Sequence, residues 1–211
     1  EGGEEFYPYL HYHPELQLTL IVKGNGTRFI GDSIGRFYEG DVYLLGANLP
    51  HVFRSELDEP VHGGVHAINL FFPGHFFGKD FIQIPEVSDL NKLVKEANRG
   101  LLITDNLNRS ISDKLPLLMQ REGMDRLILF LEILNEITKS NHRKPLSTIN
   151  YAIPEKHAVS KRLNDIYHFV SSNYSRPIML EDAARVANMS PTAFCRYFKN
   201  RTQKTFNTFL N

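Results

Sequence analysis

The sequence predicts an α+β protein: an N-terminal β-barrel, then a helical region, then an all-α unit built around a helix-turn-helix. Three observations lead there. Leu16, Leu18, Leu20 and Val22 alternate with Gln17, Thr19 and Ile21, which is the period of a strand. From Ser88 the spacing becomes helical, with Leu90, Leu93, Val94 and Ala97 on one face. Near the end, Asn188-Met189-Ser190-Pro191 forms a tight turn between two short helical stretches, the layout in which a second helix can enter the major groove of DNA.

In the strand region, Gly24-Asn25-Gly26 supplies a hairpin turn after the first alternating run. Short apolar runs follow at 28–30, 35–38, 42–45, 52–53 and 65–72, separated by Gly, Asp, Asn and Pro. Many short strands at this spacing indicate a sandwich or barrel. A second helical stretch covers 105–119, where Pro116 is expected to break or kink the helix. A third runs over 124–139 with Leu127, Ile128, Phe130, Leu131, Ile133, Leu134 and Ile137, apolar over most of its circumference. Such a helix is buried on two sides. One side packs on its own domain; the other either packs on a second subunit, making a homodimer through the 122–140 helix, or lies inside the same core. Residues 141–158 lack periodicity and read as a linker. The division expected is therefore 1–85 for the barrel, 86–140 for the helical dimerisation region, 141–158 for the linker and 159–211 for the helix-turn-helix unit.

Composition limits the partners. The 211 residues hold no apolar run long enough to span a bilayer, and the opening Glu1-Gly2-Gly3-Glu4-Glu5-Phe6 is not a signal peptide. The true N-terminus is expected upstream of Glu1. The single cysteine, Cys195, excludes an internal disulfide and a cysteine-built zinc site, and it fits a reducing cytoplasm. The net charge is zero but uneven: residues 155–211 carry nine Lys/Arg against four acids, leaving an acidic body. A basic end suggests a polyanion there, although a solvated helical surface explains the same charges.

Within the C-terminal unit, Leu163, Ile166, Val170 and Tyr174 line one face of a first helix, and Pro177 prevents its continuation. Glu181 and Asp182 suit the first turn of the next helix. Asn188 tolerates a left-handed turn, Ser190 can cap the last helix and Pro191 suits its first position. Phe194 and Phe198 point inward, which leaves Thr192, Cys195, Arg196 and Lys199 outside. Arg196 can read guanine in a bidentate contact; Thr192 and Cys195 can touch base edges or a thymine methyl. Arg176, Lys199 and Arg201 are expected on phosphates.

Two histidine clusters stand in the strand region: His11-Tyr12-His13 with Gln17, and Gly46, Asn48 and Pro50-His51. His11, His13 and His51 can meet at one barrel mouth. Three imidazoles can hold a metal, or they can line a ligand cavity together with Gln17. The aromatics Tyr12, Phe29, Phe37, Tyr43 and Phe53 fit either a cavity lining or a core. The effector pocket expected is His11, His13, Gln17, His51 and Tyr43, with no cofactor. His62, His66 and His75 are expected at the surface or rim.

The chain resembles the AraC/XylS family of transcription regulators. The resemblance is carried by Pro177-Ile178-Met179-Leu180-Glu181-Asp182-Ala183-Ala184, Asn188-Met189-Ser190 and Phe194-Cys195-Arg196-Tyr197-Phe198-Lys199, and by two cupin-like motifs, His11-Tyr12-His13-Pro14-Glu15-Leu16 and Gly40-Asp41-Val42 with Leu49-Pro50-His51. It implies a cupin-like double-stranded β-helix that senses a small-molecule effector, a helical dimerisation element, and two helix-turn-helix units binding duplex DNA. Thr192, Cys195 and Arg196 then lie on the first recognition helix. Met179 stands where a capping Ser or Thr is usual, Asn188 where glycine is usual, and Gln17 where metal-binding cupins have glutamate. The second helix-turn-helix is missing from these residues, as are strands expected before His11. Two other readings are a metal-dependent cupin enzyme and a small-molecule binding module with no role on DNA.

Overall fold

A computed structural model describes residues 2–3, 6–55, 64–76, 78, 80–148, 161–173, 176–202 and 205–210. Its strands are β1 (Gly2–Gly3), β2 (Leu16–Lys23), β3 (Gly26–Ile30), β4 (Ser33–Phe37), β5 (Val42–Leu45), β6 (His51–Ser55), β7 (Val65–Phe72), β8 (Leu101–Ile103) and β9 (Arg143–Pro145). The helices are α1 (Ser88–Ala97), α2 (Asp105–Gln120), α3 (Gly123–Lys139), α4 (Lys161–Asn173), α5 (Leu180–Val186), α6 (Pro191–Thr202) and α7 (Phe206–Leu210). The mixed α+β class expected from sequence is therefore present.

The strands form two antiparallel sheets, one in the order β1-β7-β2-β5-β8-β9 and one in the order β4-β3-β6. Neither closes into a barrel among the described residues, where a β-barrel of the cupin-like double-stranded β-helix type was expected. An isolated antiparallel bridge pairs His11 of the N-terminal segment with His51 of β6. The alternation in β2 separates two interiors rather than core from solvent. Leu16, Leu18 and Leu20 enter a core shared with the helices, while Ile21 enters a second core with Phe37, Tyr43 and Phe53.

Two further corrections concern the middle of the chain. Strand β8 interrupts the stretch expected to be helical, and β9 lies inside the stretch expected to be a linker; β8 pairs with β5, and β9 with β8. The rest of that linker, 149–158, lies outside the described residues. Helix α2 also runs through Pro116. The proline falls in the last part of the helix, where few backbone bonds remain to be lost, and Leu115 and Leu118 on either side are buried in the core.

Helix α3 buries Leu129, Ile133, Leu134 and Ile137, but its other side faces outward. Ile128 is 46% exposed and Met124 67%, beside Met119 of α2 at 69%. Of the apolar residues around α3, Met124 and Ile128 are left exposed among the described residues.

Residues 146–148 are clasped onto the strands. Ser147 Oγ donates to the Ile30 carbonyl at 2.9 Å. Buried Asp32 accepts from Thr148 N–H at 2.9 Å and Thr148 Oγ1 at 2.6 Å. Arg99 donates to the Ser147 carbonyl from Nε and Nη2 at 3.0 and 2.8 Å. After the undescribed residues 149–160, α4–α7 return to the same region: Leu10, Phe29 and Val52 share one core with Leu163, Ile166, Tyr167, Phe198 and Phe209. Phe29 lies 5.1 Å from Tyr167, edge to face, and 6.1 Å from Phe209.

Candidate functional site

The first candidate site lies where β2, β6 and β7 meet the N-terminal segment. Hydrogen bonds His11 N–H to His51 O (3.1 Å) and His51 N–H to His11 O (2.9 Å) draw the two histidines together. The loop after β5 does the rest. Asn48, at φ 59°, donates its N–H to the His13 carbonyl at 2.8 Å. The imidazole centroids are 4.4 Å apart for His11 and His51, 5.2 Å for His13 and His51, and 6.2 Å for His11 and His13. His11 and His51 line a cavity of about 150 Å³ with Tyr7, Gln17, Thr19, Phe53, Asn69 and Phe71 among its walls.

A polar network forms the floor. His13 Nε2 lies 2.8 Å from Gln17 Oε1. Gln17 Nε2 donates to Thr19 Oγ1 at 2.7 Å and to Asn69 Oδ1 at 3.0 Å, and Thr19 Oγ1 donates to Asn69 Oδ1 at 2.9 Å. Thr19 and Asn69 were not singled out from sequence. Thr19 shares a face with Gln17 by strand period, so that signal was available. Asn69 reaches the site only through the β2–β7 register, which sets Thr19 opposite it. Burial, then the neighbouring His11, holds His51 down to about 3, so its ring stays neutral at ordinary pH.

Tyr43 stands apart from the cavity walls. It is buried against Phe53 at 5.2 Å, donates to Asp41 Oδ2 at 2.7 Å, and lies 5.7 Å beneath the Arg28 guanidinium. Burial, then the hydrogen bond to Asp41, pushes its phenol up, so it acts as a core hydroxyl. His66 and His75 are exposed, as expected, and His62 is outside the described residues.

The second candidate site is the pair α5–α6. Helix α5 carries Glu181 and Asp182 in its first turn, and its N-cap Met179 makes no side-chain cap bond. Ala183 and Ala184 are buried. The helix ends in a double closure: Met189 N–H donates to Ala184 O at 2.9 Å and Asn188 N–H to Arg185 O at 3.0 Å, with Asn188 at φ 56°. This is a Schellman ending, and asparagine meets its left-handed position. Ser190 Oγ accepts from Ala193 N–H at 3.4 Å as the cap of α6, and Pro191 is its first residue.

Phe194 and Phe198 are buried and stacked at 5.6 Å. Phe206 closes on them edge to face at 5.1 and 5.2 Å. Thr192, Cys195, Arg196 and Lys199 are all exposed on the opposite side of α6. Arg176 is exposed and bonded to Asn173 Oδ1, and Arg201 lies 5.9 Å from the Tyr197 ring. Tyr174 and Lys204 are outside the described residues.

No protein-family model and no curated protein matches the chain. Solved structures do. The AraC-like transcriptional activator CuxR aligns at 11% identity with a TM-score of 0.43, over 93% of this chain. Apo ToxT from Vibrio cholerae aligns at 14% identity and TM-score 0.44, over 99% of this chain and 76% of ToxT. ToxT bound to (E)-4-(8-methylnaphthalen-1-yl)but-3-enoic acid aligns at 14% and TM-score 0.42, over 99% of this chain and 77% of that one. The chain spans 65% of the length of CuxR. Among the described residues no helix is long and apolar enough to cross a membrane.

Proposed function

We propose that this chain is a ligand-responsive, sequence-specific DNA-binding transcription regulator. The observation that carries the reading is the α5–α6 pair. A Schellman turn joins it, phenylalanines hold it from inside, and α6 leaves Thr192, Cys195, Arg196 and Lys199 exposed on one face. That is the form a helix-turn-helix needs to lay its second helix in a major groove. On this reading Arg196 reads base edges, Thr192 and Cys195 sit beside them, and Lys199, Arg176 and Arg201 meet phosphates. The strand region, with the cavity at His11, Gln17 and His51, takes the effector, and His13 supports it through Gln17. The domain division proposed is a sensing region, a helical region, a linker and the helix-turn-helix unit.

Enrichment of genomic duplex fragments by the protein at physiological salt tests this. A shared motif is expected. Arg196→Ala is expected to weaken binding to that motif by about tenfold or more, the scale of one bidentate base contact. Lys199→Ala is expected to weaken all sequences alike and to flatten the salt dependence. Undiminished motif binding by Arg196→Ala would remove this helix from the role.

The outward side of α3 supports self-association. Met119 near the end of α2 and Met124 and Ile128, one turn apart on α3, are exposed among the described residues, and clustered exposed apolar side chains mark interfaces. We assign this cluster to a second copy of the chain. In sedimentation, Met124→Glu with Ile128→Glu is expected to convert a dimer to a monomer without changing helix content. A sedimentation coefficient unchanged by these two charges would refute that interface.

A further inference from the structure

His11 and His51 of the cavity and His13 beside it share an arrangement that a ligand pocket for an organic effector does not require. Each directs Nδ1 at a backbone carbonyl two residues away: Tyr9 for His11 at 2.9 Å, Glu15 for His13 at 3.0 Å and Leu49 for His51 at 2.8 Å. An imidazole held this way through Nδ1 presents Nε2, and metal-ligating histidines are oriented by such second contacts. One ring nitrogen from each of the three lies within 4.8 Å of the others. His51 Nε2 is buried and has no hydrogen-bond partner among the described residues, although the residue is only 1% exposed. A buried lone pair of this kind calls for a donor or a cation.

We propose that His11, His13 and His51 bind one divalent transition-metal ion, and that its occupancy reaches the C-terminal helices through Leu10 and Val52. The proposal deepens the reading of this cavity as the sensing site. Its donor set is three imidazoles, with Gln17 Oε1 adjacent at 2.8 Å from His13 Nε2. With no carboxylate among them, the set favours borderline, nitrogen-seeking ions such as Zn²⁺, Ni²⁺ and Co²⁺ over Mg²⁺ and Ca²⁺.

The route to the helices is short. Leu10 precedes His11 and Val52 follows His51, and the two ligand-bearing backbones are bonded to each other. Leu10 and Val52 both belong to the core that holds Ile166, Tyr167 and Phe209. Drawing His11 and His51 onto one ion therefore changes the surface on which α4 and α7 sit.

The test uses the whole chain, stripped with chelator and titrated with Co²⁺. One saturating Co²⁺ with visible d–d bands is expected, displaced by Zn²⁺. His13→Ala and His11→Ala, each checked for retained fold by circular dichroism, are expected to weaken binding by about tenfold or more. His66→Ala, at an exposed position, is expected to change nothing. Amide exchange in α4 and α7 is expected to slow or quicken on metal loading, and Leu10→Ala to bind metal while losing that response. No saturable Co²⁺ spectrum, or binding unaltered in both His13→Ala and His11→Ala, overturns the site. Metal binding with no change of exchange in α4 and α7 overturns the relay. None of these readouts involves DNA, so loss of the DNA reading through Arg196 would leave them standing.

Discussion

Phe198→Ala is expected to unfold the C-terminal helices while the two sheets stay folded. Phe198 is fully buried and contacts Phe194, Phe206 and Phe209 at centroid distances of 5.6, 5.2 and 5.1 Å. Removing a buried phenylalanine costs about 3–5 kcal/mol, since transfer and cavity terms add. This helical core is small, and its rings all pack on one another, so little neighbouring structure can collapse into the gap. Amide exchange resolved by residue is the measurement. Protection should disappear across α4–α7 and persist in β2, β5 and β7. Uniform loss across both regions would mean that they fold as one cooperative unit; unchanged protection would mean that Phe198 holds nothing.

Gly46→Ala is expected to have a large effect in the strand region. A Cβ at Gly46 would stand 2.6 Å from both the backbone N and the Cα of Asn98, atoms that cannot swing aside. Gly46 also donates its N–H to Ala97 O at 2.8 Å, which joins the end of α1 to the end of β5. Overpacking costs about 1–3 kcal/mol, and a backbone obstacle puts this position at the upper end. The displacement should travel, because Leu49 N–H donates to Gly46 O at 3.2 Å and Asn48 N–H to His13 O at 2.8 Å. The expected result is a lowered melting temperature together with shifted imidazole resonances of His13 and His51. A normal melting temperature would show that α1 can retreat from the loop.

What could be read in the sequence was local. Asn188, Ser190 and Pro191 announce their turn because capping chemistry acts within a few residues. The face of α1 and the apolar girth of α3 follow from helical period. His11, His13 and His51 were grouped on the expectation that neighbouring strands bring them to one barrel mouth. Legibility stopped where pairing decides. Strands β8 and β9 have three residues each, too few for alternation, and are extended because they add to β5. Asn69 belongs to the pocket only because β7 lies beside β2 in one register. Tyr43 was assigned to the pocket on residue type, yet on β5 the Asp41 bond and the Arg28 guanidinium hold it in the core. Pro116 was expected to break or kink a helix that runs on to Gln120, with Leu115 and Leu118 buried on either side of it.

The clasp at Thr148 bears on how the two halves hold together. The chain departs at Asp32 and returns at Phe29, so both attachments fall on the β3–β4 hairpin. The helices and the strand body belong to one chain, so their meeting is intramolecular and does not depend on the protein's own concentration. Contacts too weak to join two free molecules, such as Phe29 against Tyr167 and Phe209, then suffice to keep the halves in register. Any partner that docks on the Phe29 surface competes against a neighbour that never diffuses away.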